Sequence, residues 1–173
     1  QTRILRTRNR LTDGLFAEGG MVKAFSNHDF LLGLIDLYEL TDDSQYLDMA
    51  SQGVRSLRQK LGHKGFLLNQ ASAQDGDQGR IIHRANPFNG GYIELYCDLF
   101  RITGNQKYLN FAEEESGAWL RSAFFRRHGL FQRIELADNR WLYPVLNWRI
   151  RPPLARLFKD NTNLMYSLVE LHH

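Results

Sequence analysis

The chain has 173 residues, of which 43% are hydrophobic and 12% aromatic, so it is long and apolar enough to bury the core of an ordinary folded domain. Its net charge is only +3, and the arginines are scattered without interleaved aromatic residues, which argues against a nucleic-acid-binding protein. There is no run of 18 apolar residues, so we expect no membrane-spanning helix, and with Cys97 as the lone cysteine no intrachain disulfide can form.

The first predicted elements form a helical hairpin. Residues 1–10 are interpreted as the end of an outer helix from a preceding hairpin, followed by the glycine-apolar segment Gly14-Leu15-Phe16. Residues 30–40 are apolar nearly all round, which is the pattern of a helix packed on several sides, and the helix is predicted to begin near residue 28. Residues 44–61 carry their apolar side chains on one stripe at helical spacing. We therefore predict a buried inner helix and an amphipathic outer helix, joined by a turn at Thr41-Asp42-Asp43.

The same hairpin returns 62 positions later along the chain. The fourteen residues that begin at Leu37 recur from Leu99 with five identities. This register predicts a second inner helix over 90–102 and a second outer helix over 106–122. An acidic trio in that outer helix is interpreted as a solvated face: Glu113, Glu114 and Glu115.

A third inner helix is predicted to begin near residue 162. The hairpins are separated by connections over 62–88 and 123–160, and connections of this length are rarely without function in a compact domain. Within the second connection, residues 131–144 have the pattern of a small β-hairpin. The chain is thus predicted to be one all-α domain, residues 1–173, with about two and a half helical hairpins.

Polar segments lead into all three predicted inner helices. If the hairpins pack around a common axis, these segments converge at one end of it, where the helix N-termini add positive potential for a ligand. The candidate site residues are His28, Asp29, His83, Arg84, Asn89, Trp141, Asp160 and Asn161.

Structural roles compete with functional ones at several of these positions. Three asparagines occupy equivalent positions at helix starts, where N-capping is the favoured interpretation: Asn27, Asn89 and Asn161. Three acids lie deep in the inner helices, where we expect buried polar packing between repeats: Asp36, Asp98 and Glu170. Asp29 and Asp160 also suit the positive end of a helix dipole, and Trp141 could be either a platform for a sugar ring or a plug beneath the loop.

The hairpin motif resembles the repeat unit of the six-hairpin glycosidase superfamily. The resemblance is carried by Leu11-Thr12-Asp13-Gly14-Leu15-Phe16, by Asn27, and by Leu37-Tyr38-Glu39-Leu40-Thr41-Asp42-Asp43-Ser44-Gln45-Tyr46-Leu47; the second copy, from Asn89 to Leu109, is similar. It implies part of an (α/α)6 toroid, as in α-1,6-mannanase-type hydrolases, unsaturated glucuronyl hydrolases and the N-acylglucosamine 2-epimerase group. With fewer than three of six hairpins, we expect a fragment of a larger toroid.

The resemblance implies a carbohydrate-active enzyme with a sugar ligand. No His or Cys spacing in the sequence suggests a zinc site, and we expect no metal or cofactor. The first hypothesis is a glycoside hydrolase in which Asp29 and Asp160 are the paired catalytic carboxylates and the other six candidates bind substrate. Mannanase-type enzymes carry two adjacent aspartates as catalytic acids. The only adjacent pair here, Asp42-Asp43, falls in the inner-to-outer turn at the opposite end from the expected active face, so we do not assign it that role.

Two alternatives stay open. In a polysaccharide lyase or sugar epimerase of the same fold, a histidine or tyrosine would abstract a proton and Arg84 would neutralise a uronate carboxylate. In a non-enzymatic helical-repeat scaffold, the concave face would bind a protein or a glycan. For a fragment, self-association is also expected, because apolar residues such as Met165 and Val169 would lack a neighbouring helix.

Overall fold

The computed structural model describes residues 10–12, 14–18, 20–72, 83–85, 87–131, 134–137, 140–142, 162, 164–169 and 171. The chain forms two compact units. The N-terminal unit comprises Gln1–Gly62 and Asn69–Ile81, and the C-terminal unit comprises His63–Leu68 and Ile82–His173. Each unit combines a helical hairpin with short antiparallel strands.

An antiparallel sheet of four short strands lies in the N-terminal unit. In spatial order these are β1 (Arg10–Thr12), β2 (Leu15–Glu18), β3 (Met21–Lys23) and β6 (Gln70–Ser72). β2 pairs with β3 through Ala17 and Val22, and β3 pairs with β6 through Val22 and Ala71. None of these strands was predicted from the sequence. The predicted helix over residues 1–10 is wrong at Arg10, which begins β1; residues 1–9 lie outside the described residues.

The hairpin of this unit consists of α1 (Ala24–Thr41) and α2 (Ser44–Leu61). β3 runs directly into α1, and the Ala24 N–H donates to Asn69 O at 2.8 Å, so the helix begins four residues before the predicted start. The two helices approach closely at Gly53, where an added Cβ would overlap Leu31 Cδ2. α2 has the predicted bounds, and its buried apolar stripe is Ala50, Val54, Leu57 and Leu61.

α1 is less buried than its sequence predicts. Its buried apolar residues are Ala24, Leu31, Leu34 and Ile35. Near its C-terminal end, Leu37 is 41% and Leu40 82% exposed. Asp36 is exposed as well, so the expected buried polar role is wrong for this residue. The cause is that α2, β2 and β3 pack along α1 on only part of its circumference.

The inner-to-outer turns of the two hairpins are built in the same way. Each inner helix ends in a residue with left-handed backbone, Asp42 (φ 54°) in the first copy and Gly104 (φ 65°) in the second. The next residue caps the outer helix: Asp43 accepts from the Gln45 N–H at 3.0 Å, and Asn105 accepts from the Lys107 N–H at 3.1 Å. The repeated motif is thus a turn and a cap, as predicted.

The C-terminal unit contains the second hairpin and an aromatic core. Its helices are a short 3₁₀ helix (Pro87–Gly90), α3 (Gly91–Thr103), α4 (Gln106–Leu120) and α5 (Ala123–His128). Thr162 and residues 164–169 are also helical, in agreement with the predicted third inner helix. The buried Trp119 ring contacts Phe66 and Phe131 edge-on, with centroids 4.9 and 6.2 Å away.

The other described strands form two further small sheets. β4 (Gly62–His63) and β5 (Phe66–Leu67) flank a tight turn. β7 (His83–Ala85), β8 (Ile134–Ala137) and β9 (Arg140–Leu142) form a three-stranded antiparallel sheet. β8 and β9 confirm the predicted β-hairpin, whereas β7 was not predicted as a strand.

One acid of the predicted solvated trio is buried. Glu113 and Glu114 are exposed, but Glu115 is 0% exposed and lies on the buried side of α4. The solvated interpretation is therefore wrong for Glu115. Three consecutive helical residues span about 200° of the helix circumference, so they cannot all face one direction. None of the described helices has the length and apolar character needed to cross a membrane.

Candidate functional site

The first turn of α1 is held by the side chain of Asn27, which is 0% exposed. Its Oδ1 accepts from the Phe16 N–H at 2.7 Å, and its Nδ2 donates to Phe16 O at 3.0 Å and to Lys23 O at 2.8 Å. The N-cap position of α1 is Lys23, which makes no side-chain capping bond. The predicted capping role of Asn27 is therefore wrong.

The Asn27 side chain instead bonds β2 as the backbone of a neighbouring strand would. The β2–β3 ladder includes Ala17 and Glu18, and at Phe16 the carboxamide of Asn27 binds both the N–H and the C=O of β2. A primary amide offers a donor and an acceptor in one plane, as a peptide group does. We call this arrangement the asparagine bridge.

The C-terminal unit has a counterpart of the asparagine bridge, in which an asparagine bonds a backbone C=O. Asn89 is 5% exposed, and its Nδ2 donates to Leu67 O at 3.1 Å. It lies in the 3₁₀ helix, while Gly90 is the N-cap position of α3, so the capping interpretation is wrong here too. Leu67 ends the segment Gly65-Phe66-Leu67, as Phe16 ends Gly14-Leu15-Phe16. The joint repetition of this segment and of the asparagine was the sequence signal for the bridge.

His28 and Asp29 follow Asn27 and lie in contact. His28 Nδ1 is 3.2 Å from Asp29 Oδ1, a distance at which Nδ1 donates to the carboxylate in the tautomer that carries its hydrogen there. The Asp29 side chain is 70% exposed, whereas the His28 side chain is 19% exposed and its Nε2 atom is buried. The group open to a ligand is thus the carboxylate, and the imidazole orients it.

Two candidates from distant parts of the sequence meet in the sheet of the C-terminal unit. His83 on β7 and Trp141 on β9 both pair with Leu136 on β8, so they occupy one row of the sheet. Arg84 lies opposite Glu135 in the adjacent row. The prediction that His83 and Arg84 lie in a loop is wrong, because both residues belong to β7, which pairs with β8.

The predicted convergence of all candidates stays a prediction. Asp160 and Asn161 lie outside the described residues. His28 and Asp29 belong to the N-terminal unit, and the other described candidates belong to the C-terminal unit. No cluster of three or more His, Cys, Asp or Glu residues suited to a metal ion occurs within the described part of the chain.

Comparison with known proteins identifies the fold. No protein-family model matches the sequence, and no curated protein sequence matches it. Among solved structures, cellobiose 2-epimerase from Bacillus thermoamylovorans matches with 13% identity and a TM-score of 0.68 over 94% of this chain and 42% of its own. A family 76 glycoside hydrolase from a bovine Bacteroides thetaiotaomicron strain matches with 20% identity and a TM-score of 0.61, covering 97% of this chain and 35% of its own.

An α-1,6-mannanase from a Salegentibacter species matches with 24% identity and a TM-score of 0.56 over 65% of this chain and 34% of its own. That structure is an inactive variant with two adjacent aspartates replaced by alanine, in complex with α-1,6-mannotetrose. This chain spans between about a third and two-fifths of the length of these proteins. The chain has the helical-hairpin fold of the six-hairpin glycosidase-like (α/α) toroids.

Proposed function

We propose that this chain forms part of a carbohydrate-active enzyme, and that the enzyme is a glycoside hydrolase with Asp29 as one of its paired carboxylates. The observation that carries the proposal is the exposed Asp29 carboxylate, held by the His28 imidazole on the second turn of an inner helix. The fold supports it as well, since the similar solved proteins include an α-1,6-mannanase and a family 76 glycoside hydrolase. Fold similarity is support by analogy, so the argument rests on the site.

The geometry favours carboxylate chemistry over histidine chemistry at this position. A hydrolase needs two carboxyl groups on either side of the glycosidic bond. Asp29 presents an accessible carboxylate, while the ring of His28 is largely covered and contacts Asp29 through Nδ1. His28 therefore serves to orient Asp29. Asp160 is the proposed second carboxylate.

Sugar binding is proposed for the row that contains His83 and Trp141. The proposal is supported by the strand register, in which His83 and Trp141 flank the same residue, Leu136, from either side. Indole rings provide apolar faces for sugars, and imidazoles provide hydrogen bonds for hydroxyl groups. Arg84 and Asn161 are proposed as further substrate-binding residues, whereas Asn89 is 5% exposed and is assigned the structural bond to Leu67 O.

A second candidate is a sugar isomerase or epimerase. It is favoured by the cellobiose 2-epimerase match, which covers 94% of this chain with a TM-score of 0.68, and by a D-mannose isomerase match of the same coverage. In that chemistry a side chain removes a proton next to the carbonyl carbon of the open-chain sugar. His28 would be the base.

The test of the hydrolase uses the intact protein and α-1,6-linked mannooligosaccharides, with products separated by chromatography. Asp29→Asn is expected to lower turnover on the order of 10³-fold, because the amide cannot exchange a proton with substrate. Asp36→Asn is the matched control, since Asp36 is an exposed aspartate on the same helix, and it should stay within about twofold.

Three results separate the hypotheses. Loss of activity in Asp42→Asn with retention in Asp29→Asn would place the active end at the opposite side of the hairpin. Deuterium incorporation into mannose or cellobiose in D2O, abolished by His28→Asn, would support the isomerase or epimerase. Glycan binding without turnover, unchanged in every variant, would support the scaffold.

A further inference from the structure

We propose that Asn27 and Phe16 are positioning residues for the His28–Asp29 pair. The proposal rests on the proposed function of that pair and adds the residues that hold it in place. Phe16 lies on β2, eleven residues before Asn27, and nothing in its own sequence context marks it as part of a site.

The evidence is that Phe16 contacts α1 at the residue before the pair and at the residue after it. Its backbone N–H and C=O bind the Asn27 side chain, directly before His28. Its ring meets the Phe30 ring edge-on, directly after Asp29, with centroids 4.5 Å apart and an interplanar angle of 82°. We call the contacts of Phe16 with Asn27 and Phe30 the Phe16 clamp.

The clamp adds a side-chain anchor to the backbone bond between the Ala24 N–H and Asn69 O at the start of α1. The first turn of a helix has unsatisfied N–H groups and frays unless it is capped. Lys23, at the N-cap position, provides no side-chain capping bond. The clamp thus fixes the helix rotation that sets where the exposed Asp29 carboxylate points, and a displacement of about 1 Å at a catalytic group can cost on the order of 10²-fold in rate.

The experiment compares two serine variants. Asn27→Ser removes both bonds to Phe16 but can keep the bond to Lys23 O, as Ser116 Oγ does with Ala112 O at 2.6 Å. Asn89→Ser is the matched control, because it breaks the asparagine bridge of the other unit. Phe16→Leu is the second test variant, since it retains the backbone bonds and removes only the ring contact.

Two readouts are used. The first is the NMR shift of the His28 ring nitrogens, assigned with His28→Gln, which reports the Nδ1 contact with Asp29 whether or not the protein is active. The second is the separation of kcat and KM for the glycan substrate. For positioning, Asn27→Ser and Phe16→Leu are expected to shift the His28 nitrogen signals and to lower kcat by about 10- to 100-fold, with KM within about threefold. Asn89→Ser should leave the His28 signals unchanged.

Unchanged His28 signals in a folded Asn27→Ser would overturn the proposal, as would equal shifts in the Asn89→Ser control. If Asn27→Ser does not fold, Phe16→Leu decides by the same criteria. A wild-type protein that turns over no glycan would refute the proposed hydrolase, while the NMR comparison would still accept or reject the positioning of His28.

Discussion

The starts of α1 and α3 share an asparagine that donates to a backbone C=O of an earlier strand, but they differ in the residues that follow it. In the N-terminal unit Asn27 is followed by His28 and Asp29, whereas in the C-terminal unit Asn89 is followed by two glycines. At Gly90 an added Cβ would lie 2.9 Å from the Cα of Leu164, so only glycine permits this contact. The repeat thus places an asparagine bond to an earlier strand at the start of both helices. After the asparagine, the first copy has the polar residues His28 and Asp29, whereas the second has glycines that allow close packing against Leu164.

Breaking the asparagine bridges should have the largest effect on stability. Asn27→Leu leaves the half-buried N–H and C=O of Phe16 without their bridge partner, and we expect the free energy of unfolding to fall by about 2 kcal/mol. Asn89→Leu should also be clearly destabilising. Urea unfolding followed by circular dichroism measures both.

Asn110→Leu serves as the control for these variants. Asn110 is exposed on α4, where its Oδ1 accepts from Gln106 Nε2 at 3.3 Å, so the change should stay below about 0.5 kcal/mol. If Asn27→Leu lowered the free energy of unfolding and Asn89→Leu did not, the two asparagines would differ in their contribution to stability.

The glycine contact is expected to rank second. Gly90→Ala forces the added methyl group against Leu164 and should cost about 2 kcal/mol. Gly33→Ala in α1 is the opposite case, because no atom lies within 4 Å of the added Cβ, and the better helix propensity of alanine should add about 0.5–1 kcal/mol. Thermal unfolding measures both variants: the midpoint temperature should fall in Gly90→Ala and rise in Gly33→Ala. A shift in the same direction in both would contradict the prediction.

The two caps should each contribute about 1 kcal/mol. Asp43→Ala and Asn105→Ala remove side-chain oxygens that accept from the backbone N–H groups of Gln45 and Lys107. Because the two turns have the same geometry, we expect equal losses in unfolding free energy within about 0.5 kcal/mol. A loss in only one variant would mean that one outer helix does not depend on its cap.

The smallest expected change sharpens the comparison of the turns. Asp42 adopts φ 54°, where the second copy has Gly104 at φ 65°. Asp42→Gly should therefore stabilise the protein by about 0.5 kcal/mol, since glycine adopts this backbone conformation without steric cost. Catalytic activity should not change, because the pair Asp42-Asp43 belongs to the turn. A large loss of activity would assign the adjacent aspartates a role beyond the turn.

Features governed by near neighbours in the chain were predictable from the sequence. The bounds of α2, Ser44–Leu61, follow from a cap at Asp43 and a one-sided apolar stripe. The β8–β9 hairpin likewise joins residues only a few positions apart. The pairing of His28 with Asp29 at the start of α1 was also visible, because the two residues are adjacent.

Tertiary structure decided the features that depend on distant partners. β3 pairs Met21 with Ser72, about fifty residues away, and this pairing moves the start of α1 to Ala24. Asn27 looks like a helix cap in sequence, since asparagine is a good cap, but its side chain bonds the N–H and the C=O of Phe16 on β2 instead. Backbone N–H and C=O groups that are withdrawn from water need hydrogen-bond partners, and only the folded chain brings Asn27 to these two.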